Sequence, residues 1–304
     1  MAQQSFEIIF LGDFREPAFR SPAADQIQAV VTAGYRTGIM QMAAGQRRQP
    51  ARFHEDIRAL IERGALAHLD PDQVASCQLL IVTDPRHLAH MPSRSLRINA
   101  PLSIVLVPHG PELSNGQPFY DSAAVQANAR DLLSGEIIWA PMTSVVRRQL
   151  SHLDPRPSLS EVDWHACIDP ESWPSTRSGF SGPRPVIGRS GPPSEDAWPT
   201  DASHILALYP DDSQFLVRIL DGGPILKSRI GALPRNWDVL ALEKASEATF
   251  LASIDFFVHS HHPDFIAPVD PHLLRAMAAG VVAILPPGSR RSSVMARSMQ
   301  RIMR

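Results

Sequence analysis

Short runs that are apolar at every position, each followed by a stretch with helical spacing, restrict this chain more than any other feature. Leu79-Leu80-Ile81-Val82, Ile104-Val105-Leu106-Val107 and Ile137-Ile138-Trp139 are such runs. A strand without polar alternation is covered on both faces, which is the condition of a strand inside a parallel sheet. Phe6 to Leu11 reads as the first strand and ends in the turn pair Gly12-Asp13. Ala24, Ile27, Val30 and Val31 then recur near helical spacing, Gly34-Tyr35 breaks the pattern, and Thr37 to Met42 is a second strand. Phe53, Ile57, Leu60 and Ile61 share a stripe of a helix from Phe53 to Arg63, and Ser144 to Leu153 is a further helix. Strands alternating with helices predict an α/β layer structure with mostly parallel sheets.

The rhythm stops between Pro155 and Pro185, where Pro, Ser, Trp and Gly dominate. It restarts with Pro185-Val186-Ile187, a strand expected to end at Gly188-Arg189. A helix is expected from Ile205 to Tyr209, and a strand from Phe215 to Leu220 ending in Asp221-Gly222-Gly223. Strands at Trp237–Leu242, Phe256–Val258 and Gly280–Leu285 alternate with helices at Glu247–Ile254 and Pro271–Ala279. The organisation expected is two Rossmann-like α/β domains, 1–165 and 185–304, joined by a linker at 166–184 and facing each other across a cleft.

Composition agrees with that size. The 304 residues are 44% hydrophobic and 20% charged, enough apolar surface to build cores and too balanced for a disordered chain. A formal net charge of -2 gives no whole-molecule field that would draw the chain to nucleic acid. Cys77 and Cys167 are too few for a disulfide scaffold or a multi-cysteine zinc site, and fit a reducing, cytoplasmic setting. No apolar run reaches the ~18 residues of a membrane span. The start, Met1 to Phe6, lacks a basic stretch followed by an apolar one, so no secretory signal is expected.

The words of the second half come in a telling order: Pro185 to Arg189, Trp198-Pro199, Tyr209 to Asp212, Val217 to Gly223, Leu233 to Trp237, Phe250 to Val258, Ala276 to Gly280 and Ile284 to Pro287. In order and spacing they resemble the donor half of a bacterial GT-B glycosyltransferase, of the retaining group often called family four. Ala33 to Gly38, Trp139-Ala140-Pro141, Asp163-Trp164 and Ile168-Asp169 stand where such proteins have similar words in their first half. The resemblance implies sugar transfer from a nucleotide-sugar donor to a glycan or other acceptor, as in surface polysaccharide synthesis. It implies no cofactor and no protein-bound metal. Donor contacts would fall on Gly188 and Arg189, whose backbone and guanidinium suit a diphosphate, and on Gly222 and Gly223, which allow close backbone approach. His109 ends a strand where family four often has a His facing the sugar; a capping or solvent-facing turn histidine is the other reading.

The departures from the family pattern are as informative. Members carry two Glu with seven residues between them, the second leading into the Ala-Met word; positions 267 and 275 hold Ala267 and Arg275 instead. A methyl group cannot bind sugar hydroxyls, and a guanidinium opposes oxocarbenium charge. The family's Lys before Trp198-Pro199 is replaced by Ala197, with Glu195 and Asp196 beside it. The first turn carries Asp13 to Ala18 in place of paired glycines. Arg275 is expected to face the cleft and to hold an anion, a phosphate or a partner's carboxylate. Two functions stand open: a glycosyltransferase, or a catalytically inactive GT-B-like protein that binds a ligand or a protein partner.

His259-Ser260-His261-His262 has the residues of a metal cluster, but lacks cysteines or acids at fixed spacing and reads as a polar turn. Asp270-Pro271 reads as a helix N-cap with Pro in the first turn. In the basic stretch Ser289 to Arg304, Met295, Met299, Ile302 and Met303 share one helical stripe. It would dock on the protein or lie on the inner face of an anionic membrane.

Overall fold

The computed structural model describes residues 4–15, 22–42, 52–89, 96–173, 177, 179–190, 198–241, 245–260 and 270–285. The chain forms two compact units, Met1–Cys167 and Ile168–Arg304.

In unit 1 the strands are β1 (Gln4–Gly12), β2 (Thr37–Gln41), β3 (Ala67–Leu69), β4 (Ala75–Val82), β5 (Ile98–Asn99), β6 (Leu102–Val107) and β7 (Glu136–Pro141). They pair in the order β3-β2-β1-β4-β6-β7, with β5 beside β4, and every pairing is parallel. The helices are α1 (Pro22–Thr32), α2 (Glu55–Glu62), α3 (Arg86–Ala89), α4 (Ser122–Leu132) and α5 (Ser144–Ser151). The central strand shows why the apolar runs exist. Ile9 and Leu11 point into one core cluster, and Ile8 and Phe10 into the other. Each such side chain, fully buried, stabilises the fold by about 1.5–3 kcal/mol. Polar caps start the helices: Asp121 accepts from the N–H groups of Ala123 and Ala124 at α4, and Thr143 from that of Val146 at α5.

Unit 2 repeats the plan. Strands β8 (Val186–Ser190), β9 (Leu216–Leu220), β10 (Trp237–Leu240), β11 (Phe256–Val258) and β12 (Val282–Ile284) form an all-parallel sheet in the order β10-β9-β8-β11-β12. Helices α6 (Ala202–Leu208) and α7 (Gly223–Ile230) cover one face, and α8 (Glu247–Ala252) and α9 (Pro271–Ala278) the other. Among the described residues, no helix is long and apolar enough to cross a membrane.

Several expectations are corrected. The strand expected to end at Gly188-Arg189 runs on to Ser190, so both residues lie inside β8 and not at a bare strand end. A helix, α7, begins where only a turn was read. The stretch read as a linker is, in its described part, wrapped on unit 2. Trp173 is buried with α8 and α9 residues, and Arg177 donates to the carbonyl of Ile254 at 2.6 Å, that of Ala279 at 3.1 Å and that of Leu251. Asp255 accepts from the Ser181 N–H at 2.7 Å and from the Val186 N–H at 2.8 Å. Arg177 thus serves carbonyls at the ends of α8 and α9, and Asp255 serves two backbone N–H groups, which ties the described residues of this stretch to unit 2. Glu195 to Ala197, His261, His262, Ala267 and the stretch from Ser289 to Arg304 lie outside the described residues.

Candidate functional site

In an open parallel sheet, ligands settle beyond the carboxyl ends of the strands, where the strand order reverses. In unit 2 that point lies between β8 and β11. A cluster of buried polar side chains is gathered there: Arg189, Ser190, His259, Ser260, His272 and Arg275.

Glu247 stands at its centre. Ser246 caps α8, so Glu247 falls in the first turn, where the helix dipole favours a carboxylate. Its Oε1 accepts from Ser190 Oγ at 3.2 Å and lies 2.5 Å from His272 Nδ1. Its Oε2 accepts from Arg275 Nη1 at 3.0 Å. Burial alone would raise the Glu247 carboxyl, but His272 and Arg275 outweigh it and bring it down to about 2. His272 and Arg275 reach it from the first turns of α9. Asp270 caps that helix, accepting from the His272 N–H at 2.9 Å, and its other oxygen lies 3.3 Å from His259 Nδ1. Burial opposes the Asp270 charge, and the two histidines hold its carboxyl well below the ordinary range all the same.

Arg275 is therefore on the side of α9 that faces the site, but it is 0% exposed, and the carboxylate it holds is the chain's own. Arg189 is also internal. Its guanidinium lies 4.1 Å from the Trp198 ring centroid and donates to the Ser260 carbonyl and, at 3.4 Å, to Tyr209 Oη. Gly188 answers a packing need: a Cβ there would stand 2.5 Å from Ile254 Cδ1. Gly222 takes φ 82° at the start of α7, where a Cβ would lie 2.7 Å from the Trp198 ring. Its N–H already donates to Asp221 Oδ1 at 2.8 Å. Gly223 opens the helix close to Val239. The structure thus brings Gly188, Arg189, Gly222, Gly223 and Arg275 to one edge of unit 2, largely committed to internal contacts.

His109 belongs to unit 1, just past β6, with its ring edge-on to Phe119 at 5.6 Å. The reversal point of that sheet, between β1 and β4, has its own polar group. Asp13 follows β1 and pairs with Arg15 at 2.8 Å, while Gln41 Nε2 donates to it at 2.8 Å. Asp84 follows β4 and pairs with Arg86 at 2.7 Å. Burial would raise the Asp84 carboxyl, but Arg86, His87 and His109 together lower it. Burial lowers the His87 pKa, against the opposing pull of the Asp84 and Asp13 carboxylates. Asp84, His87, Glu247 and His272 were not singled out from the sequence. Asp84 follows a strand and Glu247 opens a helix, and that position was the available signal for both.

The comparisons with known proteins fit this architecture. HepE of Anabaena, solved in complex with UDP and glucose, has a TM-score of 0.60 and 13% identity, covering 96% of this chain and 82% of that one. Its complex with UDP-glucose gives 0.60 at 14% identity and the same coverage. The apo structure of OtsA has a TM-score of 0.52 at 11% identity, covering 92% of this chain and 83% of that one. The fold is GT-B. No family model matches the chain, and no curated protein matches it in sequence. At such identities the likeness carries the GT-B architecture and nothing finer.

Proposed function

We propose that this chain is a GT-B glycosyltransferase-like protein that binds a nucleotide sugar at the carboxyl edge of unit 2. The observation that carries this is the buried polar cluster around Glu247 at the reversal point between β8 and β11. HepE is a GT-B structure solved with UDP-glucose, which makes nucleotide sugars the first ligands to test. In this reading Gly222 and Gly223 keep the start of α7 low enough for a diphosphate to approach. Arg189, Ser190 and Arg275 form the buried polar floor beneath the site, and the half-buried Glu247 meets sugar hydroxyls. His109, with Asp84 and His87 near it, serves a hydroxyl acceptor such as a glycan in surface polysaccharide synthesis. The setting proposed is cytoplasmic.

A second reading, ligand binding without efficient transfer, is favoured by one contact. The Glu247 carboxylate is already paired with Arg275 and in hydrogen-bond contact with His272. A carboxylate so paired gives little field to an oxocarbenium-like transition state. We expect binding of a nucleotide sugar by titration calorimetry, with turnover below the ~1–10³ s⁻¹ of ordinary enzymes. No heat of binding from any nucleotide sugar at millimolar concentration sinks the first statement. Release of free nucleoside diphosphate at ordinary rates sinks the second.

A further inference from the structure

The two faces of the unit-2 sheet are unequally covered. Helices α6 and α7 lie on the face that carries Ile187, Val217, Ile219 and Val258, and they follow β8 and β9. Alternation puts Phe256 on the same face as Val258. The parallel register pairs Phe256 with Val282 and Val258 with Ile284, so all four side chains share it. Beyond Val258 the cover stops. Val282 is 56% exposed and Ile284 44%, on the edge strand of the sheet. Phe180, 63% exposed, adds to the same apolar area, its ring centroid 6.2 Å from that of Phe256. A parallel sheet is normally covered on both faces, and a contiguous apolar patch marks a contact surface. Among the described residues, no helix lies over it.

The chain itself supplies a matching surface. Pro286, Pro287 and Gly288, turn-forming residues by composition, come next after β12, and the basic stretch begins at Ser289. Met295, Met299, Ile302 and Met303 fall on one helical stripe, about 12 Å long. Two strands ~4.8 Å apart, with two outward residues each, offer a face of similar extent. Methionine adapts to irregular apolar ground, and Arg297, Arg301 and Arg304 fall off the stripe, on the side that docking would leave to water. We propose that the segment Ser289–Arg304 docks its Met295–Met299–Ile302–Met303 stripe on Phe180, Phe256, Val282 and Ile284, and so completes the core of unit 2.

The test uses the full chain with Cys77→Ala and Cys167→Ser, carrying Val282→Cys with either Met299→Cys or Arg297→Cys. Mild oxidation should close a disulfide within one chain for the Met299→Cys pair and leave the Arg297→Cys pair reduced. A disulfide between two chains would assign the patch to a second copy and overturn the proposal; equal reaction of the two pairs would overturn it as well. Limited trypsin digestion of the unsubstituted chain keeps the test independent of these variants. Cleavage after Arg297 and Arg301 should be roughly tenfold slower than in the free peptide, as for a docked element. Cleavage at the peptide's rate, or protection that arises only on adding phosphatidylserine vesicles, would show that the segment does not dock here.

Discussion

Arg275, expected from the sequence to hold a bound anion, is fully buried against the chain's own Glu247. Removing one partner of such a pair strands the other charge, so Arg275→Ala should destabilise the protein by about 3–5 kcal/mol. The double change Arg275→Met with Glu247→Leu should recover most of that, read from urea midpoints. The same contact sets a pH dependence. The Glu247 carboxyl falls from an ordinary 4.5 to about 2 in the folded protein. Its contribution is therefore complete above pH 4.5 and disappears as the pH falls toward 2. Urea midpoints at pH 6, 4 and 3 should show this loss in the natural protein and a smaller one in Arg275→Met. Gly188 separates packing from ligand approach. Gly188→Ala should cost about 1–3 kcal/mol through the clash with Ile254, and Ile254→Ala added to it should restore part of that. Recovery without any change in nucleotide-sugar affinity would leave Gly188 a packing residue alone. The position of Arg275 was legible in the sequence from its place before Ala276-Met277. Its partner was not, because Glu247 lies 28 residues away, and only the fold brings α8 and α9 side by side.

At the scale of elements, Arg177 ties together the ends of two helices. It donates to the carbonyls of Leu251 in α8, Ile254 just after it and Ala279 at the end of α9. Charged hydrogen bonds of this kind contribute about 1.5–3 kcal/mol each at most. Arg177→Ala should speed amide exchange in the last turns of α8 and α9 and leave α6 and α7 as they were; uniform exchange across unit 2 would count against a local clamp. Strands with unbroken apolar runs were legible because both of their faces are covered. α4 was not, since its inward residues are the single branched Val125 with Gln126 and the small Ala129, which leave almost no stripe. α7 was hidden by Asp221-Gly222-Gly223-Pro224, a turn by composition. Its left-handed Gly222 and early Pro224 are equally the start of a helix. β3 and β5 are too short, at 3 and 2 residues, to carry any periodicity.

For the whole molecule, the alternating rhythm and its restart after Pro185 made two α/β units legible. What the rhythm could not show was that the intervening stretch packs on unit 2 through Trp173, Arg177 and Ser181. A fragment 168–304 should therefore melt cooperatively and at a higher temperature than a fragment 185–304. Equal melting by circular dichroism would mean that those contacts add nothing. The strand orders carry one more consequence, for the ribosome rather than for the site. In unit 2, β8 is made first, β9 and β10 add outward on one side, and β11 and β12 add outward on the other. In unit 1, β1 plays the part of β8, with β2 and β3 to one side and β4, β6 and β7 to the other. Among the described strands, none has to enter between two that are already paired. As the nascent chain emerges from its N-terminus, each new strand meets an open edge left by its predecessors. Either sheet can thus be finished during synthesis without undoing a single ladder already formed.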